Sequence, residues 1–173
     1  MLAAAVAVAA GIPAIPAETV KAADIQINET TFPDEYFRNW VTSQSYGQDL
    51  VLTAEEIADV KKMYVTPTIN NNQITNYKGI EYFTEVTDLN LAGKPTSLNV
   101  RKNTKLKYLK AENLNMSTLD LSQNPLLVEL NVRGGQLTSL DLSHNNELVT
   151  FFCMNNKLTS LDVSNCKKLE NFQ

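Results

Sequence analysis

The chain has 173 residues, a formal net charge of -4 at pH 7 and an isoelectric point near 5.0. This acidic balance argues against a nucleic-acid partner, because phosphate binding requires a basic surface. Two cysteines and one histidine leave little material for a metal site, thiol chemistry or a histidine-based triad. We therefore expect a protein without a cofactor, a metal or a catalytic residue, and hence not an enzyme.

Residues 1–22 differ in composition from the rest of the chain. The run "LAAAVAVAAGI" is too short to span a bilayer, and it is followed by Val20 and Ala22 at spacings that suit a signal-peptidase site. The usual basic n-region is missing, since no Lys or Arg precedes Lys21. We interpret residues 1–22 as a signal-peptide remnant, with a buried core helix as the alternative. Export without membrane insertion after cleavage follows from this interpretation.

Residues 23–68 show no repeat and predict a helical N-terminal cap. In "FPDEYFRNWV", Pro33 suits the first turn of a short helix and the two acidic residues after it suit the positive end. Phe37, Trp40 and Val41 then share one face of that helix. Two amphipathic helices before a solenoid would shield its first coil from water.

The second predicted helix begins in "TAEEIADVKKM", where Thr53 and Glu56 have the spacing of a capping box. A calcium loop that ends at Glu56 is the alternative interpretation of the segment "SYGQDLVLTAEE". The positions of the first and third carboxylates hold Ser45 and Gly47, and the turn glycine is replaced by Leu50. The capping interpretation of Glu56 is therefore favoured, and no metal site is predicted.

Residues 69–173 contain a repeat of 21 residues whose units begin at Pro95, Met116, Leu137 and Leu158. Positions 1, 4, 6, 12, 15 and 17 of each unit are apolar, which gives two short alternating bursts per unit. Such a unit cannot bury its apolar side chains alone, so the copies must stack as a solenoid. Position 9 is asparagine in three units, where the amide can bond the backbone of neighbouring coils. These residues are Asn103, Asn124 and Asn145.

The segment "LVTFFCMNNKL", residues 148–158, matches the leucine-rich-repeat consensus L-x-x-L-x-L-x-x-N-x-L without a gap. Together with "LTSLDLS", it resembles the repeats of bacterial cell-surface proteins similar to internalins, and the cap resembles the one that precedes such repeats. The resemblance implies an α/β leucine-rich-repeat solenoid, a right-handed coil with a parallel concave β-sheet preceded by a small two-helix cap. It also implies an adhesive or recognition role at the bacterial surface or in secreted form.

Outward side chains of the repeat indicate where a partner could bind. In the first burst these outward side chains are similar from unit to unit, as expected of a structural surface. At positions 14, 16 and 18 of the second burst they differ in every coil, as expected of a surface fitted to a ligand. From this concave set we predict the ligand-binding residues Tyr108, Lys110, Glu129, Arg133, Phe152 and Met154.

An enzymatic alternative rests on a column of aspartates at position 5, namely Asp120, Asp141 and Asp162. Their recurrence with the coil period indicates outward residues of the convex side. Stacking of like charges predicts that each raises the pKa of its neighbour slightly. His144 occupies a polar turn position and is not a candidate base.

The function predicted from the sequence is recognition of a protein on a host or neighbouring cell. The alternatives are a structural spacer for a downstream domain and a glycan-binding module. Cys153 and Cys166 are expected to be small core residues, although the sequence alone leaves a disulfide open. The chain stops at Gln173 in a predicted strand, so we expect further repeats beyond it. The unpaired edge of the last coil would allow end-to-end self-association.

Overall fold

The computed structural model describes residues 24–173, so the predicted signal-peptide remnant lies outside the described residues. Six parallel strands form one sheet whose spatial order follows the chain order, as a leucine-rich-repeat solenoid requires. Each coil therefore contacts its predecessor and its successor. The strands are β3 (Lys62–Tyr64), β4 (Asp88–Leu91), β5 (Tyr108–Ala111), β6 (Glu129–Asn131), β7 (Thr150–Phe152) and β8 (Asn171–Phe172).

The N-terminal cap contains the two predicted helices and a small antiparallel sheet. Its elements are β1 (Ile25–Gln26), α1 (Glu35–Ser43), β2 (Val51–Leu52) and α2 (Ala54–Asp59). On α1, Phe37 and Val41 are buried and Trp40 is half-buried, which confirms the predicted apolar face. Within residues 24–173, no helix has both the length and the apolar content needed to cross a membrane.

Asp34 joins the cap to the first coil of the solenoid. One of its carboxylate oxygens accepts the Phe37 N–H at 3.0 Å and caps the start of α1. The other oxygen accepts the N–H groups of Thr75 at 2.9 Å and Asn76 at 3.1 Å. A single ionised side chain therefore satisfies backbone donors of two segments that are far apart in sequence.

The capping box of α2 is present as predicted. The Thr53 hydroxyl accepts the Glu56 N–H at 3.2 Å, and the Glu56 carboxylate accepts the Thr53 N–H at 2.9 Å. The Glu56 carboxylate is thus engaged in capping the helix. In the part of the chain that the structure describes, no group of three or more His, Cys, Asp or Glu side chains is placed to hold a metal ion.

The solenoid core is made by the apolar positions of the repeat, of which Leu130, Leu148 and Phe151 are fully buried. The second burst of each unit forms the strands of the sheet. The first burst forms a convex wall that lies outside these strands. Successive convex segments are linked by hydrogen bonds, such as the one from the Thr138 N–H to the Ser117 oxygen at 2.8 Å. Among the described strands, β1, β2 and β3 were not anticipated from the sequence.

A column of buried asparagines runs along one turn of the solenoid. The Asn124 amide nitrogen donates to the backbone oxygens of Val100 and Asn103, both at 2.9 Å. Equivalent pairs of bonds are made by Asn103 and Asn145, as predicted from position 9. All three side chains are completely buried, and their Oδ1 atoms have no hydrogen-bond partner. Each amide therefore connects its own coil to the preceding one.

The next coil places Cys166 at the same position. Its buried sulfur lies 3.7 Å from the Asn145 backbone oxygen, so a weak thiol donor replaces the amide. Cys153 is half-buried, and neither cysteine is in a disulfide. Both cysteines are thus small packed residues, as expected.

Replacement of one buried asparagine should destabilise the solenoid more than replacement of an exposed polar residue does. Asn124→Ala removes two hydrogen bonds to the carbonyls of Val100 and Asn103, each of which keeps only a backbone N–H donor. Two such bonds contribute about 1–3 kcal/mol to the unfolding free energy. Urea denaturation followed by circular dichroism measures this difference. Gln123→Ala, at the exposed neighbouring position, is the matched control and should change stability by less than about 0.5 kcal/mol. Equal midpoints for the two variants would contradict the role of the amide.

The capping box should contribute measurably to cap stability. Thr53→Ala removes the hydroxyl acceptor and is expected to lower the unfolding free energy by about 1 kcal/mol. Thr53→Ser keeps the hydroxyl and should stay close to the wild type. Thermal unfolding of the three proteins tests this, and an alanine variant as stable as the serine variant would refute it.

Candidate functional site

The concave face presents three parallel rows of outward side chains. Pairing of consecutive strands puts the first residue of each strand in one row and the third in another. The first row is Lys62, Asp88, Tyr108, Glu129, Thr150 and Asn171. The second is Tyr64, Asn90, Lys110, Asn131 and Phe152. Glu112, Arg133 and Met154 follow two residues later in their coils.

Several of the predicted ligand-binding residues expose apolar surface on this face. Tyr108 is 44% exposed and Met154 is 39% exposed, whereas Phe152 is half-buried. Between them, Glu129 lies directly beside Tyr108 on the neighbouring strand. The face therefore combines aromatic and sulfur-containing side chains with charged groups, which is the composition of a recognition surface.

Glu112 organises the centre of the face, although it was not among the predicted residues. Its Oε1 atom accepts Asn131 Nδ2 at 3.0 Å and Arg133 Nη2 at 3.1 Å. Lys110 Nζ lies 3.7 Å from the same oxygen. Three side chains from two neighbouring coils thus converge on one carboxylate. This network brings the predicted residues Lys110 and Arg133 together.

Arg133 connects that network to Phe152. Its guanidinium carbon lies 5.2 Å from the centre of the Phe152 ring, and its Nε donates to Asn131 Oδ1 at 3.1 Å. A cation above an aromatic face at an exposed site contributes about 0.5–1 kcal/mol. The aromatic ring is therefore held in place before any ligand arrives, and less conformational freedom is lost on binding.

The structure divides the predicted site into two parts. Lys110, Arg133 and Phe152 belong to the network around Glu112, while Tyr108 and Glu129 form a separate pair on the first row. Met154 lies on the third row, two residues after Phe152. The position of Glu112 varies between coils as the predicted positions do. Its contacts with side chains of two neighbouring coils could not be predicted from that variation.

The face also extends further toward the cap than the sequence indicated. Tyr64 on β3 is 50% exposed and its hydroxyl lies 3.4 Å from the Asp88 carboxylate. Lys62 Nζ lies 3.6 Å from the same carboxylate. Because β3 was not predicted, these two residues were missed.

Comparison with known proteins identifies the repeat. A family model described as the leucine-rich-repeat domain of endo-beta-N-acetylglucosaminidase EndoS matches residues 32–173. The chain belongs to this family of leucine-rich-repeat domains. Such domains are typically recognition scaffolds without catalytic groups, which agrees with an interaction module. A search of curated proteins finds no significant match.

The solved structure of an internalin supports the same fold for this leucine-rich-repeat domain. Internalin InlF of Listeria monocytogenes is 20% identical with a TM-score of 0.61, over 89% of this chain and 53% of InlF. The functional domain of InlJ from the same species is 24% identical with a TM-score of 0.40, over 88% of this chain and 43% of that one. The domain thus spans about half the length of these internalin structures.

Local hydrogen bonds outweigh like-charge repulsion in the aspartate column of the convex side. Hydrogen bonds from the serine two residues later lower the pKa of all three carboxyl groups. For Asp141, the Ser143 N–H donates at 2.9 Å. As predicted, Asp120 raises the pKa of Asp141 and Asp141 raises that of Asp162. The hydrogen bonds are the larger effect, so the net shift of each pKa is downward.

The lowered pKa of Asp141 predicts a pH-dependent contribution to stability. A carboxyl group with a depressed folded pKa stabilises the protein above its unfolded pKa, and this contribution disappears as the pH falls through the folded value. Asp141→Asn keeps an oxygen acceptor, as Asn99 does for the Arg101 N–H at 3.1 Å, but does not titrate. The stability difference between the two proteins should be constant near neutral pH and shrink below the ordinary value of 3.8.

Urea denaturation over roughly pH 6 to 2 measures this difference. A gap between wild type and Asp141→Asn that widens toward low pH would reverse the sign and contradict the assignment.

Proposed function

We propose that this leucine-rich-repeat domain is an exported bacterial recognition module that binds a protein ligand on a host or neighbouring cell. The observation that carries the proposal is the concave patch of Tyr108, Lys110, Glu129, Arg133, Phe152 and Met154, in which Glu112 positions Lys110 and Arg133. It combines exposed apolar side chains with charges whose geometry is already held by hydrogen bonds.

Phe152 and Met154 supply the apolar anchor of the proposed interface. Side chains of this kind contribute most when they enter a pocket that excludes water. Arg133 already contacts the Phe152 ring, so a ligand would meet a ring of fixed orientation. Met154 has an adaptable thioether that can fill irregular space beside the ring.

The charged groups of the patch favour a protein over a highly charged polymer as the ligand. Lys110 and Arg133 balance Glu112 and Glu129, so the patch has no formal net charge. Lys110 and Arg133 both pair with Glu112. We therefore expect Glu129, beside exposed Tyr108, to face a basic side chain of the ligand, which would fix the register of the complex.

Export rests on the amino-terminal sequence. The apolar run and the small residues at Val20 and Ala22 have the order of a signal peptide. This supports placement of the domain outside the cell, in secreted or surface-attached form.

A structural spacer is the second candidate function. The family description names an endoglycosidase whose leucine-rich-repeat domain is one part, and a domain of this type could hold another domain in position. Under this alternative the varied concave residues would contact no external ligand. Charge substitutions on the concave face would then leave cell attachment unchanged.

Capture of surface proteins tests the proposal. The purified protein is immobilised and exposed to host-cell surface extract and, separately, to cell-wall glycans. The wild type should retain a protein that the double variant Phe152→Asp, Met154→Asp does not. Loss of two central anchors should weaken binding by at least about 2 kcal/mol, or roughly thirtyfold.

The matched control is Ser139→Asp, Ser160→Asp, which adds the same charge at exposed positions of the convex wall. Circular dichroism and melting temperature must agree among the three proteins before capture is compared. Retention of the same protein by both double variants would exclude the concave anchor. Retention of no protein by the wild type would favour the spacer.

A further inference from the structure

A cavity of about 340 Å³ opens in the cap, away from the concave face. It lies between helix α1 and the segment that leads into the 3-10 helix Asn71–Gln73. Its walls include Tyr36, Asn39, Trp40, Thr68, Asn70 and Asn71. The volume is at the small end of the range of about 300–1,000 Å³ that ligand sites occupy.

The helical wall of the cavity is a rigid aromatic surface. Asn39 and Trp40 follow Tyr36 on α1 by three and four residues, so the three side chains share one face of the helix. The Trp40 ring stacks on Phe37 with 6.3 Å between centroids and 15° between planes, and Phe37 is fully buried. Tyr36 is 39% exposed at the edge of the same face. The indole is thus fixed from behind while its outer side borders the cavity.

The opposite wall is held by hydrogen bonds within its own segment. Asn71 Nδ2 donates to the Thr66 oxygen at 2.8 Å, and the Asn71 N–H donates to Thr68 Oγ1 at 3.1 Å. The Gln73 N–H donates to the Asn70 oxygen at 2.9 Å. These bonds keep the segment in one conformation beside the helix.

The polar groups that border the cavity are neutral and several are free. Within residues 24–173, the side-chain amides of Asn39 and Asn70 and the indole N–H of Trp40 make no hydrogen bond, and no charged side chain lines the cavity. Each amide offers two donors and an acceptor at a fixed spacing. The site can therefore exchange hydrogen bonds with a neutral ligand but offers no counter-charge for an anion.

We propose that this cavity binds a neutral oligosaccharide. A sugar ring presents C–H groups on one face and neighbouring hydroxyls around its edge. The C–H face carries partial positive charge and packs on the negative face of an indole or phenol ring. The hydroxyls act as both donors and acceptors, which matches amide side chains better than charged ones. This site is independent of the proposed protein-binding patch.

An array of printed neutral oligosaccharides, built from hexoses and N-acetylhexosamines, tests the proposal with sialylated and sulfated counterparts on the same slide. We expect retention of the intact protein on at least one neutral glycan, and weaker retention on its acidic counterpart. The retained glycan is then titrated in solution while tryptophan fluorescence is followed. Trp40 is the only tryptophan in the chain, so a saturable change in its emission reports binding in this cavity.

Two variants locate the site. Asn39→Ala removes a free amide, and Tyr36→Ala removes an exposed ring, so each should weaken binding about tenfold without loss of the far-UV spectrum. Asn72→Ala, an exposed asparagine of the same segment that does not border the cavity, is the matched control and should bind as the wild type does. The concave double variant should also bind normally.

Retention on no neutral glycan would overturn the proposal. Equal affinity of the two cavity variants and the wild type, or a preference for the acidic glycans, would overturn it as well.

Discussion

Tight turns bury backbone carbonyl groups, and this constraint governs the rest of the solenoid. A coil of 21 residues must reverse direction several times, and some of its carbonyls then face the interior with a single backbone N–H donor each. Asn103, Asn124 and Asn145 supply these carbonyls with a second donor from inside the core. Because a hydrogen bond inside the core is stronger than one in water, a short side chain with a donor is favoured at this position.

The binding surfaces depend on this scaffold in different ways. On the concave face, the fixed register of the strands brings Lys110 and Arg133, from two neighbouring coils, to the Glu112 carboxylate. In the cap, one helix and one hydrogen-bonded segment form the cavity without any contribution from the sheet. The two surfaces are therefore suited to ligands of different chemistry, and either can change without disturbing the other.

The sequence predicted the architecture well because the same spacing of apolar residues recurs in four units. It predicted less well where a property depends on one local contact. The pKa of Asp141 follows from the Ser143 N–H rather than from the aspartate column. The strand Lys62–Tyr64 is too short to show a pattern, and it exists because β4 offers it a free edge. Glu112 is one varied residue among many in the sequence, and only the structure shows that two neighbouring coils place donors around it.

The asparagine column also has a direction. Each of the three amides donates to carbonyls 20 to 24 residues earlier in the chain, as Asn124 does to Asn103 and Val100, and none of the three donates forward. During synthesis from the amino terminus, each new asparagine therefore finds its acceptors already exposed on a finished coil. The cap and first coil, which emerge first, act as the template on which every later coil can close in turn.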